Sequence, residues 1–77
     1  MSVKEKVKNV VNEVMNKGSY ADDDNLIQNG MNSIDFIRIV VMLEEIFSIE
    51  VPDDKLLLEN FSSIDQITNT IELLTIL

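Results

Sequence analysis

The chain has 77 residues, a net charge of −8, and neither cysteine nor histidine. A length of this order makes one domain, near the lower limit of what folds without staples. The missing residue types exclude disulfides, thiolate metal sites and thiol nucleophiles, together with the usual general base.

Val3, Val7, Val10, Val11, Val14 and Met15 recur at helical spacing and predict an amphipathic helix over residues 3–15, with lysines on its other face. Valine is a mediocre helix former, so packing must hold this segment. Gly18 is the predicted residue just past its end, with Lys17 in the last turn. From Ser19 to Met31 no period persists, and the stretch contains Asp22, Asp23, Asp24, Asn25, Asn29 and Gly30. It reads as a long ordered loop anchored on the core by Tyr20, Leu26 and Ile27.

Asn32 then caps a second helix running to Phe47, with Asp35 three residues on as in a capping box. Val51-Pro52 breaks the chain, and Pro52 opens a short helix over Asp53–Leu58. Ser62 with Asp65 is the predicted cap of a last helix reaching about Leu74, whose inner face is Ile64, Ile67, Ile71 and Leu74. The prediction is a single all-α domain over residues 1–77: a small bundle of three longer helices and a short one, with a long loop after the first.

Charge is unevenly placed. Residues 1–17 set four lysines against two glutamates, a net +2, whereas residues 18–77 set Arg38 and Lys55 against twelve acids, a net −10. Such a surface repels nucleic acid and favours basic protein partners. The longest apolar run, Ile39 to Leu43, is far too short to span a membrane, and the N-terminus lacks the apolar core of a secretion signal. A cytoplasmic, monomeric protein is the expectation.

The second helix carries two apolar faces. Phe36, Ile39, Val40, Leu43, Ile46 and Phe47 share one arc, with Ile37 at its edge, and are the predicted core. The opposite arc holds Ile34, Arg38, Val41 and Glu45, with Asp35 and Met42 alongside. A helix packed on both sides would bury Ile34 and Val41. A docking surface would leave them exposed within a rim of charge.

Ser33 lies at the head of that arc. One reading is local, with Asn32 or Ser33 satisfying free N–H groups at the helix start. A catalytic serine needs a base within reach, and there is no histidine and no Gly-x-Ser-x-Gly elbow. A calcium loop fails in both registers: counted back from Gly30 it puts Ile27 and Phe36 at ligand positions, and counted from Asp22 it puts Ile27 where glycine is needed.

The run Gly30-Met31-Asn32-Ser33-Ile34-Asp35, the helix ending Leu43-Glu44-Glu45-Ile46-Phe47 and the following Ile49-Glu50-Val51-Pro52 closely resemble the attachment region of acyl carrier proteins. That family shows Gly-x-Asp-Ser-Leu, then Leu-Glu-Glu-x-Phe and Ile-x-Ile-Pro at the same spacing. The resemblance implies that a phosphopantetheinyl transferase moves 4′-phosphopantetheine from coenzyme A onto Ser33, and that the arm's thiol carries acyl or aminoacyl groups as thioesters. It implies no catalysis by the chain itself. It also implies that loading and synthase enzymes dock through basic patches on Asn32, Ile34, Asp35, Arg38, Val41, Met42, Glu44 and Glu45.

Two positions depart from the pattern. Asn32 replaces the aspartate before the serine, and Arg38 stands where carriers of fatty-acid synthesis present an acid. Both tilt the expectation toward a free-standing carrier of a specialised polyketide, nonribosomal-peptide or D-alanyl type pathway. The competing reading is a small acidic helical adaptor without a prosthetic group. Because like charges dominate residues 18–77, added salt should raise the thermal midpoint, and a melt insensitive to ionic strength would contradict that expectation.

Overall fold

A computed structural model describes residues 2–16 and 20–75. The element order is α1 (Val3–Met15), α2 (Ser33–Phe47), two 3-10 turns (Asp53–Lys55 and Leu58–Phe61) and α3 (Ile64–Thr75). The all-α fold predicted from sequence is therefore present, with the short fourth helix replaced by the paired turns.

Ser2 caps α1: its hydroxyl accepts the Glu5 N–H at 3.2 Å, and the Glu5 carboxylate accepts the Ser2 N–H at 3.5 Å. Of the predicted stripe, Val7, Val10, Val11 and Val14 are buried, and Val3 and Met15 pack half-buried against the core. α1 closes on Asn16, which adopts the left-handed conformation at φ 54°. The predicted ending on Lys17 and Gly18 lies outside the described residues.

α1 packs against both α2 and α3. Leu26, Ile39, Leu43, Phe61, Ile64, Ile67 and Ile71 are fully buried with Val7 and Val11, and form the centre of the core. Phe61 meets Phe36 edge to face, with ring centroids 5.2 Å apart. This contact ties the second 3-10 turn to the first half of α2.

Three predicted elements are corrected. Residues 53–58 do not make one helix, because Leu56 leaves helical geometry at φ −80°, ψ 57° and ends the first turn. The Asn60 side chain donates to the Lys55 carbonyl at 3.1 Å and links the two turns. The cap of α3 is Ser63, whose Oγ accepts the Gln66 N–H at 3.1 Å. Ser62 cannot cap through Asp65, since the Asp65 N–H is taken by the Asp22 carbonyl at 3.0 Å. Ile46, assigned to the core arc, is 44% exposed because it stands at the edge of that arc, about 60° around the axis from the buried Leu43.

The loop of residues 20–31 is ordered by long-range bonds. Leu26 is fully buried, and its N–H donates to the Ser62 carbonyl at 2.8 Å. Tyr20 is buried as predicted, but Ile27 is exposed, and Met31 takes the third anchoring place. Asp22 accepts Lys4 at 3.0 Å and Lys8 at 3.1 Å, and Lys4 also reaches Asp65 at 3.1 Å. The basic face of α1 thus neutralises part of the acidic remainder.

Hydrogen bonds from Lys4 and then Lys8 hold the Asp22 carboxyl below its ordinary value of 3.8, and bonds from Asp22 and Asp65 hold the Lys4 ammonium above its ordinary 10.5. A carboxyl with a depressed folded pKa stabilises above its unfolded value, and that contribution is lost as pH falls through the folded one. Asp22→Asn should therefore melt below wild type at neutral pH, the difference closing as pH drops through the carboxylate range. A gap unchanged between pH 7 and pH 2 would show that the ion pairs are not its source.

Candidate functional site at the head of α2

The site begins in the loop that delivers the chain to α2. The Gly30 N–H donates to the Ile27 carbonyl at 3.1 Å and the Met31 N–H to the Leu26 carbonyl at 2.9 Å, closing a tight turn. Gly30 has φ +108°, a conformation that L side chains rarely adopt, although a β-carbon there would meet nothing within 4 Å. Backbone conformation, not space, is what favours glycine. The turn sends Met31 into the core and leaves Asn32 exposed at the mouth of the helix.

Asn32 is the N-cap. Its Oδ1 accepts the Asp35 N–H at 2.8 Å, and the Asp35 carboxylate accepts the Asn32 N–H at 3.4 Å. The capping box read from the sequence is present, and it assigns the helix-start role to Asn32 and Asp35. Ser33, the first residue of α2, is exposed, and its hydroxyl has no hydrogen-bond partner among the described residues. The N–H groups of Ser33 and Ile34 also lack an acceptor there. Free N–H groups at the positive end of a 15-residue helix suit a phosphate linked to this hydroxyl.

Along α2 the outer arc is open. Ile34 is 69% exposed, Ile37 58% and Val41 46%, so the helix is not packed on both sides. Arg38 and Glu45 are exposed with them. Met42, read as part of this arc, is half-buried and packs against the core. Ile37, read as the edge of the core, joins the exposed set instead, because it lies about 60° beyond Val40 around the helix axis, on the open side.

Glu44 is set apart from its neighbour. It is half-buried, and its Oε2 accepts the Val51 N–H at 2.9 Å, tying α2 to the segment that follows it. Its side chain also lines an open cleft of ≈ 430 Å³ with Phe36, Ile37, Val40, Val41 and Leu56. Leu56 as a wall of this cleft was missed in the sequence. Its only signal was the run Leu56-Leu57-Leu58, which has no helical period to say which leucine turns inward.

Two of the three aspartates of the loop serve the fold. Asp22 is held by the two lysines, and Asp24 accepts the Ala21 N–H at 2.8 Å in a local turn. The chemistry available at the head of α2 is thus one free hydroxyl beside an apolar, charge-rimmed helix face.

The family model of the phosphopantetheine attachment site matches residues 5–71. The chain belongs to this family. Its members hold 4′-phosphopantetheine covalently, and carrier domains of this kind are not catalytic by themselves. The match spans α2 whole, with the loop before it and the 3-10 turns after it. The chain is therefore a phosphopantetheine-carrying carrier protein. Such carriers interact with phosphopantetheinyl transferases and synthase enzymes.

The division of labour between Asn32 and Ser33 is measurable in urea unfolding. Asn32→Ala should lose about 1 kcal/mol, the usual worth of an N-cap. Ser33→Ala, which breaks no hydrogen bond, should stay within about 0.5 kcal/mol of wild type. The reverse order would return the capping role to Ser33.

Proposed function

We propose that Ser33 is the attachment point and that the chain shuttles acyl or aminoacyl groups between partner enzymes without catalysing a reaction itself. The observation that carries this reading is the exposed, unbonded hydroxyl at the head of α2, inside the matched attachment-site region. With capping done by Asn32, the hydroxyl is free for a covalent role.

In the loading step the Ser33 Oγ attacks the pantetheine-side phosphorus of coenzyme A. A new P–O bond forms, the pyrophosphate bond breaks, and 3′,5′-ADP leaves. The hydroxyl proton passes to a base of the transferase, since the chain has no histidine to take it. The arm supplies a thiol that holds cargo as a thioester, which a chain without cysteine cannot offer from its own side chains.

The exposed arc of α2 is the docking face of this reading. Ile34 and Val41 supply apolar contact, and Asn32, Asp35, Arg38 and Glu45 supply the polar rim. Met42 and Glu44 contribute at its edge, the first by packing and the second with one carboxylate oxygen already engaged by Val51. The acidic remainder of the surface favours loading and synthase enzymes with basic patches, in a cytoplasmic, monomeric carrier. Among the described residues no helix is long and apolar enough to cross a membrane. Asn32 and Arg38 favour a specialised polyketide, nonribosomal-peptide or D-alanyl type pathway over general fatty-acid synthesis.

Intact mass decides the central point. Incubation with coenzyme A and a broad-specificity phosphopantetheinyl transferase should add one phosphopantetheine to wild type and none to Ser33→Ala. An unmodified wild type, beside a carrier that the same enzyme loads, would reject the proposal. The exposed isoleucines also suit an adaptor with no prosthetic group. That reading would gain if Ser33→Ala kept full biological activity while Ile34→Glu abolished it.

A further inference from the structure

The charges of the α2 face are not uniform, and the structure changes which of them a partner can meet. Ile34, Arg38, Val41 and Glu45 fall within about 60° of one another around the helix axis. The acids beside them are partly occupied. Asp35 closes the capping box, and Glu44 turns its carboxylate to the Val51 N–H. The charges left free along the centre of the face are Arg38 and Glu45. They are seven residues apart, or about 10 Å along the helix axis.

Arg38 is the chain's only arginine. Lys4 and Lys8 are paired with carboxylates, and Lys6 sits 5.3 Å from the Phe47 ring centroid. Arg38 has no ion-pair or ring partner among the described residues. It is also a guanidinium set in a region whose net charge is −10. Lys55, the other cation of residues 18–77, is half-buried in the first 3-10 turn, so Arg38 is the exposed cation of that region among the described residues.

We infer that this face fits a protein surface of bipolar charge, in which a carboxylate meets Arg38 near the Ser33 end, a basic group meets Glu45, and an apolar strip receives Ile34, Ile37 and Val41. Arg38 is the specificity-determining residue. It pairs with the partner's carboxylate and sets like charge against a uniformly basic patch, so that such a patch is rejected. Phosphate surfaces are excluded as occupants, because a single guanidinium does not offset the surrounding acids. A second copy would find its own charges complementary in an antiparallel arrangement, but a net charge of −8 on each chain opposes that association. The inference rests on the carrier reading of Ser33.

The experiment uses the full chain loaded on Ser33 with an electrophilic pantetheine analogue, the loading confirmed by mass. The probe is a ketosynthase with a uniformly basic docking patch, together with a variant in which one lysine of that patch, opposite Arg38, is replaced by glutamate. Covalent capture by the basic patch should be at least ten-fold faster for Arg38→Glu than for wild type. The glutamate variant should restore capture of wild type, and high salt should narrow both differences. Unaltered thermal midpoints would show that the substitution acts at the surface.

Equal capture rates for wild type and Arg38→Glu would overturn the inference while leaving the attachment intact. So would a wild-type dimer in sedimentation that Arg38→Glu dissolves, which would assign the face to a second copy. A chain that gains no pantetheine mass at all would remove the Ser33 reading, and this inference with it.

Discussion

The position of Ser33 depends on the burial of Leu26. The loop between α1 and α2 has no ladder or helix to hold it, so its backbone must find partners elsewhere. Leu26 supplies them while its side chain is fully buried: its N–H is bonded to Ser62, and its carbonyl receives the N–H groups of Asn29 and Met31. Those bonds set where the turn at Gly30 opens and hence where α2 begins. Were Leu26 to leave the core, the cap at Asn32 would lose its fixed approach, and the hydroxyl at the head of the helix its fixed place.

The same loop reconciles the two halves of the charge distribution. A chain with −10 on residues 18–77 repels itself when compact. Asp22 lies where α1 can answer this locally, through Lys4 and Lys8, and Lys4 extends the contact to Asp65 at the start of α3. These pairs are exposed and individually weak. Their value is positional, since they join the first turns of two helices to the loop that sits over them.

α2 then serves two surfaces at once. Ile39, Val40 and Leu43 bind it to the core, while Ile34, Ile37 and Val41 remain in solvent. Exposed branched residues on one helix face lower solubility unless something covers them, and the charged neighbours Arg38 and Glu45 offset that tendency. In the docking role proposed for it, this face offers a partner an apolar centre with charges beside it.

Much of this was legible in the sequence, for identifiable reasons. The valine stripe of α1, the apolar arc of α2 and the isoleucines of α3 each repeat with a helix period, and local periodicity is a property of the chain alone. The cap at Asn32 and Asp35 is equally local, spanning four residues. The motif around Ser33 carried the family.

What needed tertiary structure was every choice among locally equivalent residues. Ile27 and Met31 are both apolar, yet only Met31 is buried, because the turn at Gly30 points one inward and the other out. Ser62 and Ser63 both suit a cap, and the bond from Asp65 to the Asp22 carbonyl decides for Ser63. Glu44 and Glu45 are adjacent and identical. Only the chain folding back at Val51 draws the first into the structure and leaves the second exposed. The sequence by itself determined the helices, their inner faces and the place of the serine, because those follow from spacing along one strand of chain. The fold decided which side chains remain free to act, because that depends on what the rest of the chain has already engaged.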